Sequence, residues 1–382
     1  MEHKTVGIVC EYNPFHFGHR YHIQKSKEIT GADNVICIMS GSFVQRGEVA
    51  LFDKWQRAKA AVSNGADLVI ELPSYYVLQS SDNFAFGAIK ILDMLSVVDS
   101  LCFGAENDDI NFLKKCADAI KSDEYSTFLK ERMNEGYSYP SSCEYALSKV
   151  TGFDDASLSM PNSTLGISYL SALSSLGSRI VPYCIKRNND YHSSESSDGF
   201  LSASALRLMI KNGADYAEYA PNYSGVTTHH LEMAESYILG FFRNAKKEDM
   251  EDIKGYEEGL FSLVVKSAKM CFDVNEFFAT CVSKRYTLSR IKRFCACALL
   301  GIKGNLTPSY IRVLAFNKKG AKLLKKIKKK SPLKVVTKAA DYKKDEMFEM
   351  DIKATDFASL CSSDKNQRLC SKDFLTSPYI AK

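Results

Sequence analysis

Short apolar runs alternate with amphipathic stretches along the first half of the chain. The apolar runs are rich in Val, Ile and Leu and predict buried strands at residues 5–11, 34–39, 67–72, 98–103 and 179–185. The amphipathic stretches predict helices at residues 18–29, 52–63 and 83–95. Strands that are apolar almost throughout and alternate with helices are typical of a parallel sheet covered on both faces. The first half therefore predicts an α/β, Rossmann-like domain.

This alternation changes at two places. Residues 109–176 have mostly helical spacing and interrupt the alternation before the last predicted strand. After Tyr223 strand patterns nearly vanish, apart from residues 333–337, and helical spacing dominates. A polar stretch at residues 222–228 marks the expected boundary, and 382 residues are enough for two domains. We therefore predict an α/β domain at residues 1–225 and a mainly helical domain at residues 226–382.

Composition places the chain among globular proteins, with 45% hydrophobic and 25% charged residues. No apolar run reaches the roughly 18 residues of a transmembrane helix. The N-terminus enters a strand directly, without the apolar core and cleavage site of a signal peptide. The twelve cysteines are scattered, and none shows CxxC spacing. We expect reduced thiols, a cytoplasmic location and no membrane contact, and we predict no protein partner.

Charge is distributed very unevenly. Residues 284–344 contain nineteen Lys or Arg and one acidic residue, Asp341, whereas the rest of the chain has 31 basic and 44 acidic residues. Such a segment predicts a docking surface for a polyanion, and the alternative is a solvated, lysine-rich helical face. Arginine and aromatic side chains lie among the lysines and favour RNA, since both stack on unpaired bases. The predicted RNA-binding residues are Lys284, Arg285, Arg290, Arg293 and Arg312.

The segment Phe15-His16-Phe17-Gly18-His19 lies between the first predicted strand and the first predicted helix. Ligands of open parallel sheets bind beyond the carboxyl ends of strands, and a helix N-terminus suits phosphate. Gly18 allows close approach of a nucleotide, and His16 and His19 can donate to phosphate oxygens where charge develops on leaving pyrophosphate. The alternative is a zinc site extended by His22, although no Cys or carboxylate lies near at metal spacing.

A second polar cluster follows the second predicted strand. Gln45, Arg46, Asp53 and Lys54 can clamp a small carboxylate or a phosphate, and the alternative is a surface loop in which Asp53 caps a helix. Gly104, at the end of the fourth predicted strand, suits tight contact with a nucleotide.

A third cluster is the serine-rich start of a helix, Leu201-Ser202-Ala203-Ser204. Its hydroxyl and free N–H groups can hold phosphates, although either serine alone could be a helix cap. Asn162 and Arg187 are further candidates, with a helix cap and a strand end as their alternatives. From these clusters we predict five catalytic residues: His16, His19, Arg46, Lys54 and Ser204.

An HxGH motif after the first strand, followed later by a serine-rich helix start, resembles the HIGH-type nucleotidyltransferase superfamily. Longer segments are similar to the bacterial tRNA(Met) cytidine acetate ligase family and run through nearly the whole chain. These segments are EYNPFHFGH, SFVQRGEVALFDKWQRAKAA, GADLVIELP, FGAE, PNSTLGISYL, KRYTLSRIKR and PSYIRVLAFNKKG. The resemblance implies that ATP activates acetate as acetyl-adenylate, and that the acetyl group passes to N4 of the wobble cytidine of elongator tRNA(Met).

The resemblance also implies which residues bind ATP. They are Val9, Cys10, Glu11, Tyr12, Asn13, Pro14, Phe15, His16, Phe17, Gly18, His19, Arg20, Tyr21, His22, Gly104, Asn162, Arg187 and Asn188. We expect Mg²⁺ to accompany the triphosphate. The sequence departs from the family pattern at Ser42, at Ser81-Asp82 and at Asn188-Asn189-Asp190. These positions concern the substrate more than the nucleotide.

Two other functions fit the same motifs. A small-molecule adenylyltransferase of the superfamily explains HxGH equally well but leaves the basic segment without a purpose. A non-catalytic RNA-binding factor that senses a nucleotide explains both features without chemistry.

Overall fold

The computed structural model describes residues 3–153, 158, 160–187, 201–343 and 345–382. The strands are β1 Thr5–Cys10, β2 Asn34–Ser40, β3 Leu68–Leu72, β4 Ser100–Ala105, β5 Val181–Lys186, β6 Tyr310–Phe316, β7 Lys334–Val336 and β8 Tyr379–Ile380. The first eight helices are α1 Phe17–Thr30, α2 Lys54–Ser63, α3 Ser74–Val77, α4 Ser81–Met94, α5 Ile110–Ala119, α6 Asp123–Asn134, α7 Tyr139–Thr151 and α8 Pro161–Ser175. The later helices are α9 Ala203–Lys211, α10 Glu235–Asn244, α11 Glu258–Met270, α12 Val274–Cys281, α13 Leu288–Leu300, α14 Lys318–Lys330, α15 Glu346–Leu360 and α16 Lys372–Leu375.

A mostly parallel sheet in the order β5-β4-β1-β2-β3-β6-β7 forms the centre of the described structure. The first five strands in the chain are mutually parallel, as the alternation of strands and helices predicted. The strand order reverses at β1, since β2 lies on one side of it and β4 on the other. Such a switch point leaves a crevice beyond the carboxyl ends of β1 and β4, where open α/β sheets bind ligands. The predicted α/β, Rossmann-like fold class is confirmed.

The last third of the chain returns to this sheet. β6 pairs antiparallel with β3, and both β7 and β8 pair parallel with β6. β7 lies within the predicted strand at residues 333–337, but β6 was missed because Arg312 interrupts its apolar run. The second segment is mainly helical, as predicted, and β6 joins it directly to the sheet of the first. The division at residues 225 and 226 stays a prediction.

Two predictions from composition can be compared with the structure. All twelve cysteines are free thiols, as expected for reduced cysteines. In the described part of the chain, no helix combines the length and the apolar character needed to cross a bilayer.

Candidate functional site

The loop between β1 and α1 places two histidines at the switch point. His16 precedes the first residue of α1, and its backbone N–H donates a hydrogen bond to Nδ1 of His19 at 3.2 Å. The two imidazole rings lie with their centroids 3.7 Å apart. Because Nδ1 of His19 accepts a hydrogen bond, the neutral ring carries its proton on Nε2. His19 therefore offers one N–H donor from the entrance of the helix.

These histidines are neutral at physiological pH. Burial, together with the positive charge of Arg187, lowers the pKa of His16 to about 3 and that of His22 to about 4. The pKa of His19 is also well below its ordinary value, because of burial and then of its neighbours His16, Arg187 and His22. Neutral imidazoles can donate hydrogen bonds to a phosphate without adding positive charge beside Arg187.

The ends of β4 and β5 form the opposite side of the crevice. A Cβ atom on Gly104 would lie 2.9 Å from both Cγ and Cδ of Arg187, so the arginine side chain crosses directly over this glycine. Nη1 of Arg187 lies 3.4 Å from Oδ1 of Asn162, at the start of α8. The structure thus brings together three of the residues that the family resemblance assigned to ATP. Asn188, the fourth in this region, lies outside the described residues.

Glu106 organises the start of α8 and was not predicted. Its Oε1 accepts from Nδ2 of Asn162 at 2.6 Å, and its Oε2 accepts from the N–H and hydroxyl of Ser163 at 2.7 and 2.9 Å. Burial opposes the charged form of Glu106, but these donors lower its pKa overall. The carboxylate satisfies the free N–H groups of this helix and holds the amide of Asn162 in place. The only sequence signal was its position two residues after Gly104.

The serine-rich segment begins α9 and touches the β1–α1 loop. Ser202 is the N-cap, since its side chain accepts from the N–H of Ala205 at 3.2 Å. Ser204 is exposed and accepts from Arg207 at 3.0 Å, while the same guanidinium donates to the backbone oxygen of Asn13 at 2.8 Å. A cavity of about 330 Å³ lies beside these three residues. Arg207, three residues after Ser204, is a functional candidate that was not predicted from the sequence.

The loop after β2 approaches the same region. The N–H of Gln45 donates to Oε1 of Glu11 at 2.6 Å. Burial raises the pKa of Glu11, against the opposing charges of Arg57, Arg46 and Arg207. Arg46 is exposed and close enough to Glu11 to affect its ionisation. The structure therefore places Arg46 beside the β1–α1 loop, as a substrate clamp would require.

Lys54 does not reach this crevice, so a clamping role for it is contradicted. Its ammonium group is fully buried and lies 2.8 Å from Glu71 and 2.9 Å from Asp373. Burial lowers its pKa, but these two carboxylates raise it overall. Lys54 is therefore a charged group inside the fold. Asp53 caps α2 by accepting from the N–H of Gln56 at 2.8 Å, which is the alternative that the sequence offered.

The predicted RNA-binding residues fall into two groups. Arg312 is only 2% exposed and pairs with Asp373 at 3.3 Å, which contradicts direct contact with RNA. Arg290 is half-buried and pairs with Glu257, and Arg293 donates to the backbone oxygen of Gln45 at 3.4 Å. Lys284 and Arg285 remain exposed on the lead-in to α13, although Lys284 also lies over the ring of Tyr137.

The zinc alternative for the histidines finds no support in the geometry. Within the described ranges, no group of three or more His, Cys, Asp or Glu side chains is arranged to hold a metal ion. Mg²⁺ bound through triphosphate oxygens does not need such a group and stays a prediction.

Comparisons with known proteins agree on one family. The sequence matches the HIGH Nucleotidyl Transferase family over residues 3–373. A tRNA(Met) cytidine acetate ligase of Caldanaerobacter subterraneus is 39% identical, over 97% of this chain and 98% of its own length. One of Clostridium perfringens is 36% identical, over 98% and 99%. A crystal structure of Thermotoga maritima TmcAL bound with alpha-thio ATP has a TM-score of 0.89 at 32% identity and covers 99% of both chains.

Proposed function

This chain belongs to the HIGH nucleotidyl transferase family and, within it, to the tRNA(Met) cytidine acetate ligases, and we propose that it catalyses the reaction for which these relatives are named. It would activate acetate with ATP and pass the acetyl group to N4 of the wobble cytidine of elongator tRNA(Met). The observation that carries the proposal is the paired His16 and His19 at the β1/β4 switch point, with a proton fixed on Nε2 of His19. Further support comes from the likeness to an ATP-analogue-bound structure.

In the first step, a carboxylate oxygen of acetate attacks the α-phosphorus of ATP. A new P–O bond forms, the bond to the β-phosphate bridging oxygen breaks, and pyrophosphate leaves with the electron pair. Nε2–H of His19, at the N-terminus of α1, stabilises the charge that develops on pyrophosphate, and the positive end of the helix dipole acts in the same direction. Arg207 and Ser204 lie across the β1–α1 loop and extend this surface for phosphate. Arg46 is our candidate for holding acetate by its carboxylate.

In the second step, the N4 amine of cytidine attacks the acyl carbon of acetyl-adenylate. The C–N bond forms, the C–O bond to the phosphate breaks so that AMP leaves with the electron pair, and the proton of the amine passes to solvent. Neither step forms a covalent bond to the protein. Much of the acceleration therefore comes from holding the two reactants in the geometry that the reaction needs. Mg²⁺ bound together with ATP would neutralise phosphate charge. We place the reaction in the cytoplasm, with tRNA and acetate as partners.

A reaction with purified components tests the proposal. The protein is incubated with ATP, acetate and an unmodified transcript of elongator tRNA(Met), and the digested nucleosides are analysed by mass spectrometry. We expect N4-acetylcytidine only when all three are present, with AMP and pyrophosphate formed in equal amounts. Pyrophosphate release that depends on an added small-molecule acceptor and not on acetate or tRNA favours a small-molecule adenylyltransferase. Binding of RNA without any turnover of ATP favours a nucleotide-sensing factor.

A further inference from the structure

Most cations of α13 and β6 in the basic segment at residues 284–344 are engaged with protein groups, whereas the lysines of α14 are exposed. Arg312 is buried, and Arg290 and Arg293 are half-buried and engaged with protein groups. The lysines of α14 have the opposite placement, since this helix exposes eight of them. We propose that α14 is a docking surface for the phosphate backbone of a structured RNA, namely the stem of the tRNA substrate. This inference rests on the proposed function and adds the surface that holds the RNA.

Helical geometry aligns four of these lysines into one stripe, which we call the lysine stripe. Its members follow one another at intervals of four, three and four residues: Lys318, Lys322, Lys325 and Lys329. Residues at such intervals share a helix face. The stripe is about 16 Å long at about 1.5 Å per residue. It can therefore meet several phosphates of one RNA backbone together.

The stripe carries positive charge that no acidic side chain offsets. α14 contains no Asp or Glu, and in the part of the chain that the structure describes none of its lysines lies within 4.0 Å of a carboxylate. By contrast, Lys292 on α13 pairs with Glu48 at 2.7 Å. The ammonium groups of the stripe can therefore neutralise RNA phosphates and release the cations that are condensed on the RNA backbone.

The apolar side of α14 distinguishes RNA from a membrane surface. Leu323, Leu324 and Ile327 are 4%, 7% and 0% exposed, because they pack into the core beside the sheet. A helix that binds a bilayer interface buries its apolar face among the lipids. The apolar face of α14 is already buried in the protein, so a partner of this helix binds through its exposed positive charge.

The topology places the C-terminal end of the stripe, at Lys329, near the edge of the sheet that holds the candidate site, whereas Lys318 begins α14 at the opposite edge. α14 returns the chain from the end of β6 to the start of β7, and these two strands are parallel neighbours. Since β6 runs antiparallel to β3, the start of β7 lies at the sheet edge that also holds the β1–α1 loop. Four strand spacings of about 4.8 Å separate β1 from β7, or about 19 Å. A loop nucleotide can occupy the site while its stem lies against α14.

Substitution of the stripe tests the inference. The four stripe lysines are replaced by Ala, a strong helix former, so the helix should persist. The control replaces four exposed lysines of the helical region around α5 and α6, which gives the same change in charge: Lys114, Lys115, Lys121 and Lys130. Affinity for the tRNA transcript is measured between 0.05 and about 0.3 M salt, beside acetate-dependent ATP–pyrophosphate exchange.

We expect the stripe variant to bind the transcript at least about tenfold more weakly at low salt. The slope of log affinity against log salt should fall by about three, at about 0.7–0.9 per lost contact. The control should bind like wild type, and both variants should retain exchange. Unchanged affinity and slope in the stripe variant would overturn the docking surface alone. If the wild-type protein binds no RNA, both this inference and the tRNA part of the proposed function fail. Loss of binding to anionic phospholipid vesicles, with RNA binding unchanged, would reassign the stripe to lipid.

Discussion

The backbone N–H of His16 donates to Nδ1 of His19, and this single hydrogen bond determines which nitrogen of His19 can act on a ligand. The bond uses Nδ1 as the acceptor, so the donor of the neutral ring is Nε2–H. The spacing of HxGH therefore has a structural consequence beyond placing two imidazoles near each other. The backbone of His16 orients the imidazole ring of His19 and determines its tautomer.

Replacing His19 by Ala should lower the rate of acetate-dependent ATP–pyrophosphate exchange by about a hundredfold or more, because one donor to developing charge is lost. His19→Gln should lose less, since its amide can place an N–H near the position of Nε2. The measurement is exchange kinetics on both variants, with folding checked by circular dichroism. A folded His19→Ala protein with near-normal exchange would remove His19 from the mechanism.

The low pKa of His16 predicts how it responds to acid. In the free protein, the ring of His16 should stay neutral as pH falls from 8 to about 4, because its pKa is about 3. Unfolded histidine titrates near pH 6.5, so between these values the unfolded state binds more protons. The contribution of His16 to stability should therefore fall as pH decreases from about 6.5 to about 3. NMR titration of the imidazole protons checks this, and a midpoint near 6.5 for His16 would contradict it.

Gly104→Val should weaken ATP binding. Even the Cβ atom would lie 2.9 Å from the methylene groups of Arg187, so the arginine must leave its place beside Asn162. We expect an increase of about tenfold or more in the dissociation constant for ATP, measured by calorimetry. Gly240→Val is the matched control, because a Cβ there meets no atom within 4 Å. Equal ATP affinities in the two folded variants would place Gly104 outside the nucleotide site.

Lys54→Met should act on stability. It would leave the buried carboxylates of Glu71 and Asp373 without their shared cation. Breaking a buried ion pair in this way costs about 3–5 kcal/mol in the free energy of unfolding, measured by urea denaturation. Lys59→Met on the same helix is the control, since Lys59 is exposed and should change stability by less than about 0.5 kcal/mol. A Lys54→Met protein that is as stable as wild type but has no exchange activity would return Lys54 to the catalytic residues.

The sequence predicted best those features that depend on neighbouring residues. The parallel strands and the helices between them follow from local apolar patterns, and HxGH places its histidines at a helix start in any β–α unit of this kind. The cap at Asp53 is equally local, since its partner is the N–H of Gln56. For these features, periodicity and short spacing contain most of the physical information.

The predictions that failed depend on partners far along the chain. Lys54 and Arg312 both resemble surface cations in sequence, yet both pair inside the fold with Asp373, near the C-terminus. Arg312 also explains why β6 was not predicted, because a charged residue in an apolar run weakens the strand pattern. No local pattern reveals that a distant carboxylate will neutralise a cation. Glu106 was not predicted for a similar reason, since its hydrogen-bond donors lie 56 and 57 residues later in the chain, at the start of α8.

The fate of one oxygen atom tests the central claim, that acetate is activated as an adenylate, most directly. Acetate labelled with oxygen-18 in its carboxyl group is incubated with the protein, ATP and elongator tRNA(Met), and the nucleotide products are analysed by mass spectrometry. Attack of acetate on the α-phosphorus followed by cleavage of the acyl C–O bond must leave one labelled oxygen on the phosphate of AMP. We predict singly labelled AMP in an amount equal to the N4-acetylcytidine formed. Unlabelled AMP, or ADP and phosphate in its place, would contradict the acetyl-adenylate.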